Sequence, residues 1–146
     1  MPNPNQIEKQ VVSLPFSMLM DNLGFDLEAM FHWKPAKGKH ICHSESKPHH
    51  KHDYRFQLSA EAHNKDQGSQ KYFALLRKEK LLFKAYTVGE LGMILPAGCW
   101  SGPVDDGFGC GFDEEHDYGN IGILLAETEA DARAKMAIHL RQNKLI

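Results

Sequence analysis

The chain is expected to form a small α+β fold, a small antiparallel sheet packed with about three helices, on three observations. Two helix starts carry capping-box signals, Thr87 with Glu90 and Thr128 with Asp131. Apolar residues alternate with polar ones in short runs such as Tyr54, Phe56 and Leu58, the pattern of a half-buried strand. Helical and extended segments interleave, with strands close enough in sequence for antiparallel pairing. At 146 residues, 42% of them apolar, the chain can bury a core without disulfides or metal.

Residues 1–10 (MPNPNQIEKQ) are polar and read as a flexible terminus, leaving residues 11–146 as one α+β domain. Ser13 precedes Pro15, a residue suited to a first helical turn. Phe16, Leu19, Met20 and Leu23 then recur at helical spacing until Gly24 stops the run. Ala29 to Lys34 predicts a short strand ended by Pro35, and the strand at Tyr54–Leu58 returns along it after a polar, basic loop. Lys71 to Tyr86 carries two apolar clusters split by Arg-Lys-Glu-Lys; helix and strand both fit, with helix favoured for the first half. The Thr87 cap opens a helix from Val88 to Leu95, in which Gly89 and Gly92 are unwelcome, and Pro96 ends it. Residues 101–120 read as turns around a strand near Phe108–Phe112. Asn120 to Ala126 is the last strand, its apolar centre Ile121 to Leu125, and Ala130 to Asn143 the closing helix.

The overall charge of −2 conceals a segregation. Residues 34–84 hold 12 Lys and Arg against 5 Asp and Glu, a net of +7. Residues 90–131 hold 10 Asp and Glu and no Lys or Arg, a net of −10. The halves are expected to pack side by side and neutralise each other. The alternative is a dipolar molecule that self-associates or shows a basic face to a polyanion. The apolar run Val11–Met20 contains Pro15, lacks a basic flank and is too short to span a bilayer, so no membrane partner is expected. Cys42, Cys99 and Cys110 read as free thiols in a reducing compartment, which places the protein in the cytoplasm.

Three blocks carry a resemblance: Ser13 to Asp26 (SLPFSMLMDNLGFD), Ala85 to Leu91 (AYTVGEL) and the strand and helix closing with Thr128 to Ile146. Together, under half the chain, they resemble small uncharacterised proteins of Bacteroidetes phages and mobile elements. The resemblance implies a phage-related origin and brings no activity with it.

Seven of the nine histidines lie between His32 and His63. His40, Cys42, His43, His50 and His52, in the histidine-rich segment 37–53, are residue types that bind Zn²⁺ or Ni²⁺. Four interleaved lysines repel a cation and no zinc-finger spacing is present, so an exposed loop with weak, unselective metal binding is expected. Cys110, His116 and Asp117 supply a thiol, a base and a carboxylate, but the acidic neighbours Asp113, Glu114 and Glu115 would raise the thiol pKa. Gly107-Phe108-Gly109-Cys110-Gly111 is followed by acids instead of a helix start and is not a phosphate loop. Basic and aromatic residues mix in Lys71–Tyr86, yet the acidic neighbour argues against nucleic acid. On the last helix, Asp131, Lys135, His139 and Gln142 share one side, Ala130, Met136, Ala137 and Leu140 the other. Arg133 sits within the apolar arc, either snorkelling or marking a partner contact.

The leading expectation is a non-enzymatic cytoplasmic domain acting through an interaction surface, with no catalytic residue and no cofactor. A metal-binding protein using segment 37–53 is the second reading, and a cysteine- or metal-dependent hydrolase the third.

Overall fold

Ser13 holds extended backbone (φ −64°, ψ 157°) and Pro15 lies in the first turn of the helix that follows, Leu14–Asn22 (α2). The structure, a computed structural model, describes residues 4–36, 56–60 and 65–146. A short helix, Pro4–Glu8 (α1), precedes α2 in the segment expected to be flexible. Behind α2, Gly24 takes φ +80°. Its N–H bonds Asp21 O at 3.0 Å, and Phe25 N–H bonds Met20 O at 3.1 Å. This pair of bonds is a Schellman cap, the ending that glycine favours because a left-handed residue costs it nothing.

Strand Phe31–Pro35 (β1) pairs antiparallel with Phe56–Ser59 (β2), Trp33 opposite Leu58. On its other side β1 pairs with Phe83–Ala85 (β3), again antiparallel. The expected return strand is therefore present, and Pro35 is the last paired residue of β1. Between β2 and β3 runs helix Gln67–Lys78 (α3), capped by Asp66, whose carboxylate accepts from Ser69 N–H at 2.8 Å. The ambiguous stretch 71–86 is thus both things in turn. Helix α3 stops where Lys80 takes φ 56°, and the chain re-emerges as β3.

Helix Val88–Ile94 (α4) has the predicted capping box. Glu90 N–H bonds Thr87 Oγ1 at 3.2 Å and Thr87 N–H bonds Glu90 Oε1 at 2.9 Å. Gly92 is tolerated in it because the Arg133 guanidinium lies alongside, 3.0 Å from where a Cβ would sit.

Residues 99–126 form a second sheet, not the single strand and turns expected for residues 101–120. Cys99–Val104 (β4) and Gly107–Phe112 (β5) make a hairpin through Asp105-Asp106, and Leu124–Ala126 (β6) pairs with β5. Strand β4 is hard to read because Gly102 and Pro103 interrupt its alternation. The last strand begins later than expected. Gly119–Ile121 winds into a 3₁₀ turn and Gly122 takes φ +80°, which keeps Ile121 out of the sheet. Helix Glu129–Gln142 (α5) follows the Thr128 cap, whose Oγ1 accepts from Asp131 N–H at 3.1 Å.

The α+β class therefore holds, with the strands divided between two three-stranded antiparallel sheets, β2-β1-β3 and β4-β5-β6. The main core lies where α2, α4 and α5 meet the inner face of the second sheet, around Met20, Leu91, Cys110, Phe112, Met136 and Leu140. Smaller clusters under the first sheet (Val11, Trp33, Phe83) and beneath α3 (Phe73, Leu76, Leu81) complete it. Among the described residues, no helix is long and apolar enough to cross a membrane.

Candidate interaction surface

Strand β5 reads Gly-Phe-Gly-Cys-Gly-Phe, and the two-residue period of a strand sorts it completely. Phe108, Cys110 and Phe112 face α5 and the core, so Gly107, Gly109 and Gly111 all face outward. The result is a trough along the middle strand, filled from both flanks. Val104 of β4 with Ile123 and Leu125 beside β5 converge over Gly109, where a Cβ would lie 3.1 Å from Val104 Cγ1 and 2.8 Å from Ile123 Cγ2. The Trp100 indole covers Gly111 at 3.3 Å from the corresponding point. Ile123 remains 54% exposed and Leu125 52%, so this outer face offers apolar side chains to solvent. Asp105 and Asp106 stand exposed at one end of the trough, and Asp113, Glu114 and Glu115 at the other.

Both sheet edges are blunted. Pro103 lies on β4, and Lys135 Nζ donates to Leu125 O on β6. Proline and lysine at an edge oppose the addition of another strand, so the face, not the edge, is left for docking.

Beneath the sheet, Ser101 of β4 anchors α5. Arg133 Nε donates to Ser101 Oγ at 2.6 Å, and Ser101 Oγ–H donates to Glu129 Oε1 at 2.6 Å. Arg133 Nη1 also reaches Val88 O at 3.4 Å. The guanidinium thus clamps α5 to β4 and α4, so Arg133 neither snorkels to solvent nor waits for a partner. Asp131 likewise is buried, not on a wet face with Lys135, and its carboxylate accepts from Ser13 N–H at 2.8 Å.

The thiol–imidazole–carboxylate reading does not survive the geometry. His116 stacks on Phe112 with ring centroids 4.5 Å apart. Its Nδ1 accepts from Tyr118 N–H at 3.0 Å, so the ring proton sits on Nε2 and is donated to Ala97 O at 2.9 Å. Neither nitrogen is left to take a proton from Cys110, which is wholly buried with its Sγ 3.2 Å from Cys99 Sγ. His40, Cys42, His43, His50 and His52 lie outside the described residues. Among the described residues, no group of three or more His, Cys, Asp or Glu is arranged to hold a metal ion.

No protein-family model matches the chain, and neither a curated protein nor a solved structure is similar to it.

A separate cleft of about 450 Å³ opens among Asp21, Asp26, Glu28, His32, Arg77, Lys80 and Lys84. Lys84 Nζ meets Asp26 Oδ1 there at 2.8 Å, and this hydrogen bond, with the ammonium charge, holds the Asp26 carboxyl below its ordinary value. Three carboxylates and three cations line it, so no one sign of ligand is favoured. Lys84, of the basic segment, thus pairs with Asp26, which lies outside the acidic one.

Proposed function

We propose that the chain is a non-enzymatic protein-interaction domain, and that the outer face of the second sheet is its docking surface. The observation that carries this reading is the apolar trough of Trp100, Val104, Ile123 and Leu125 with exposed acids at both ends. Such a face suits a basic helix that also presents an apolar side chain. The molecule holds one. On α3, Lys71, Leu75 and Lys78 recur at helical spacing on the exposed side, with Leu75 39% exposed and Lys65 and Lys80 just beyond the ends. The six residues of β5 span about 20 Å and the twelve of α3 about 18 Å, so the lengths match. The occupant is α3 of a second copy, docked head to tail. Free thiols at Cys99 and Cys110 support a cytoplasmic setting. A phage or mobile-element origin belongs to the same proposal and rests on the three blocks that resemble such proteins.

Sedimentation velocity across protein concentration tests it. Wild type should self-associate at low ionic strength and separate near 1 M salt, where the Debye length falls to about 3 Å. Ile123→Ser with Leu125→Ser should remove association, as should Lys71→Glu with Lys78→Glu. Mixing the two variants should restore a dimer, because each retains the half that the other lacks. A monomer under all conditions, or association that both variants keep, would overturn the proposal.

A further inference from the structure

We propose that Cys99 and Cys110 form a thiol pair that exchanges with low-molecular-weight disulfides, Cys99 receiving the incoming sulfur and Cys110 resolving it. The placement follows from the hairpin register. Cys99 lies opposite Phe112 and Ser101 opposite Cys110, so both cysteines project from the inner face of β4 and β5, one diagonal step apart. Their sulfurs are 3.2 Å apart, and a disulfide bond of about 2.05 Å needs only about 1 Å of further approach.

The division of labour is set by access and charge. Cys99 is half-buried beside the turn at Ala97-Gly98, whereas Cys110 is fully enclosed, so an external disulfide meets Cys99 first. The hydrogen bond from Cys110 and the positive charge of Arg133 hold the Cys99 thiol below its ordinary pKa. That same bond and burial push the Cys110 thiol up. Thiolate character, which governs attack, is therefore concentrated on the reachable sulfur.

The exchange balances. Cys99 loses its proton and attacks one sulfur of RSSR; the S–S bond breaks and RS⁻ leaves, taking up a proton as RSH. Cys110 then loses its proton and attacks Cys99 Sγ; the mixed disulfide breaks and the second RS⁻ leaves as RSH. Two thiols are oxidised to one disulfide, and one RSSR is reduced to two RSH.

Oxidised glutathione is the probe, applied to the full chain carrying Cys42→Ser so that only this pair can react. The chain has no Lys or Arg between Lys84 and Arg133, so trypsin leaves both cysteines on one peptide. Cleavage at Asp105 and Asp106 separates them. Mass spectrometry should find the two separated peptides joined by a disulfide within one chain, with no glutathione retained. Adding Cys110→Ala should trap glutathione on Cys99, and adding Cys99→Ser should leave Cys110 unmodified. Glutathione held stably on Cys99 when Cys110 is present, first attack at Cys110, cross-links between chains, or two thiols that persist unreacted would each overturn the assignment. The protein with both cysteines decides the matter even if a single-cysteine variant folds poorly.

Discussion

Asp131 Oδ1 accepts the Ser13 N–H at 2.8 Å, which joins the first turn of α5 to the residue that opens α2. One carboxylate so faces the positive ends of two helices. The sequence leaves Asp131 free either to turn back on its own cap or to face the positive end of its helix. The fold spends it on a contact across 118 residues, while the Asp131 N–H still bonds the Thr128 hydroxyl.

Thr128→Ala should therefore cost about 1 kcal/mol, the usual value of one cap. Asp131→Ala should cost more, about 1–3 kcal/mol, because it strands a part-buried Ser13 N–H as well. Urea melts of the two variants rank them; equal losses would mean that the bond to Ser13 adds nothing.

Lys144→Gly should stabilise the chain by about 1 kcal/mol. Helix α5 ends in a Schellman cap, with Lys144 N–H to Arg141 O at 3.0 Å and Leu145 N–H to Leu140 O at 2.8 Å. The left-handed residue there is a lysine at φ 57°, a conformation that costs an L-residue with a Cβ about 1–2 kcal/mol. A higher midpoint in denaturant is the expected readout.

Gly109→Ala should destabilise by about 1–3 kcal/mol through overpacking, since the new methyl would press on Ile123 and Val104. The same change should disturb docking on the outer face, because those side chains must splay. An unchanged melt would show that the trough is looser than its geometry implies.

Tyr86 should make stability fall in alkali. Its ring is fully buried and its hydroxyl donates to Leu27 O at 3.3 Å; burial pushes the phenol up to about 12 from an ordinary 10.0. The neutral phenol is thus favoured by folding. That stability is fully present below pH 10.0 and is lost as pH rises towards about 12, by about 2–3 kcal/mol in all. Tyr86→Phe should flatten the decline measured by urea melts between those pH values.

Local signals were the legible part of this fold. The caps at Thr87 and Thr128 and the stop at Gly24 follow from short-range rules, and the pairing of β1 with β2 from the alternation of apolar residues in each. Strand β4 was hidden because Gly102 and Pro103 lack side chains that alternate in the expected way, and their pairing is supplied by β5. The stop at Lys80 was hidden because the chain uses lysine where glycine is the usual marker. The glycine trough on the second sheet has a readable signal. A glycine at every second position of a strand must leave one face bare, and the acids on either side of it are plain in the sequence. Arg133 could not be read, since its partners Ser101 and Val88 come from two other elements.

Arg141 of α5 bonds Leu23 O, 118 residues back along the chain, at 3.1 Å and stacks its guanidinium over Phe25, 4.1 Å from the ring centre. The seam between α2 and α5 has a kinetic meaning. Closing a loop of that length costs on the order of 4 kcal/mol in chain entropy before any contact forms, which assigns the seam to a late step in folding. On the ribosome, the part of α2 that meets α5 must wait uncovered until α5 has been synthesised. The first sheet can zip from shorter-range pairings in the meantime, while the main core closes only when its last helix arrives.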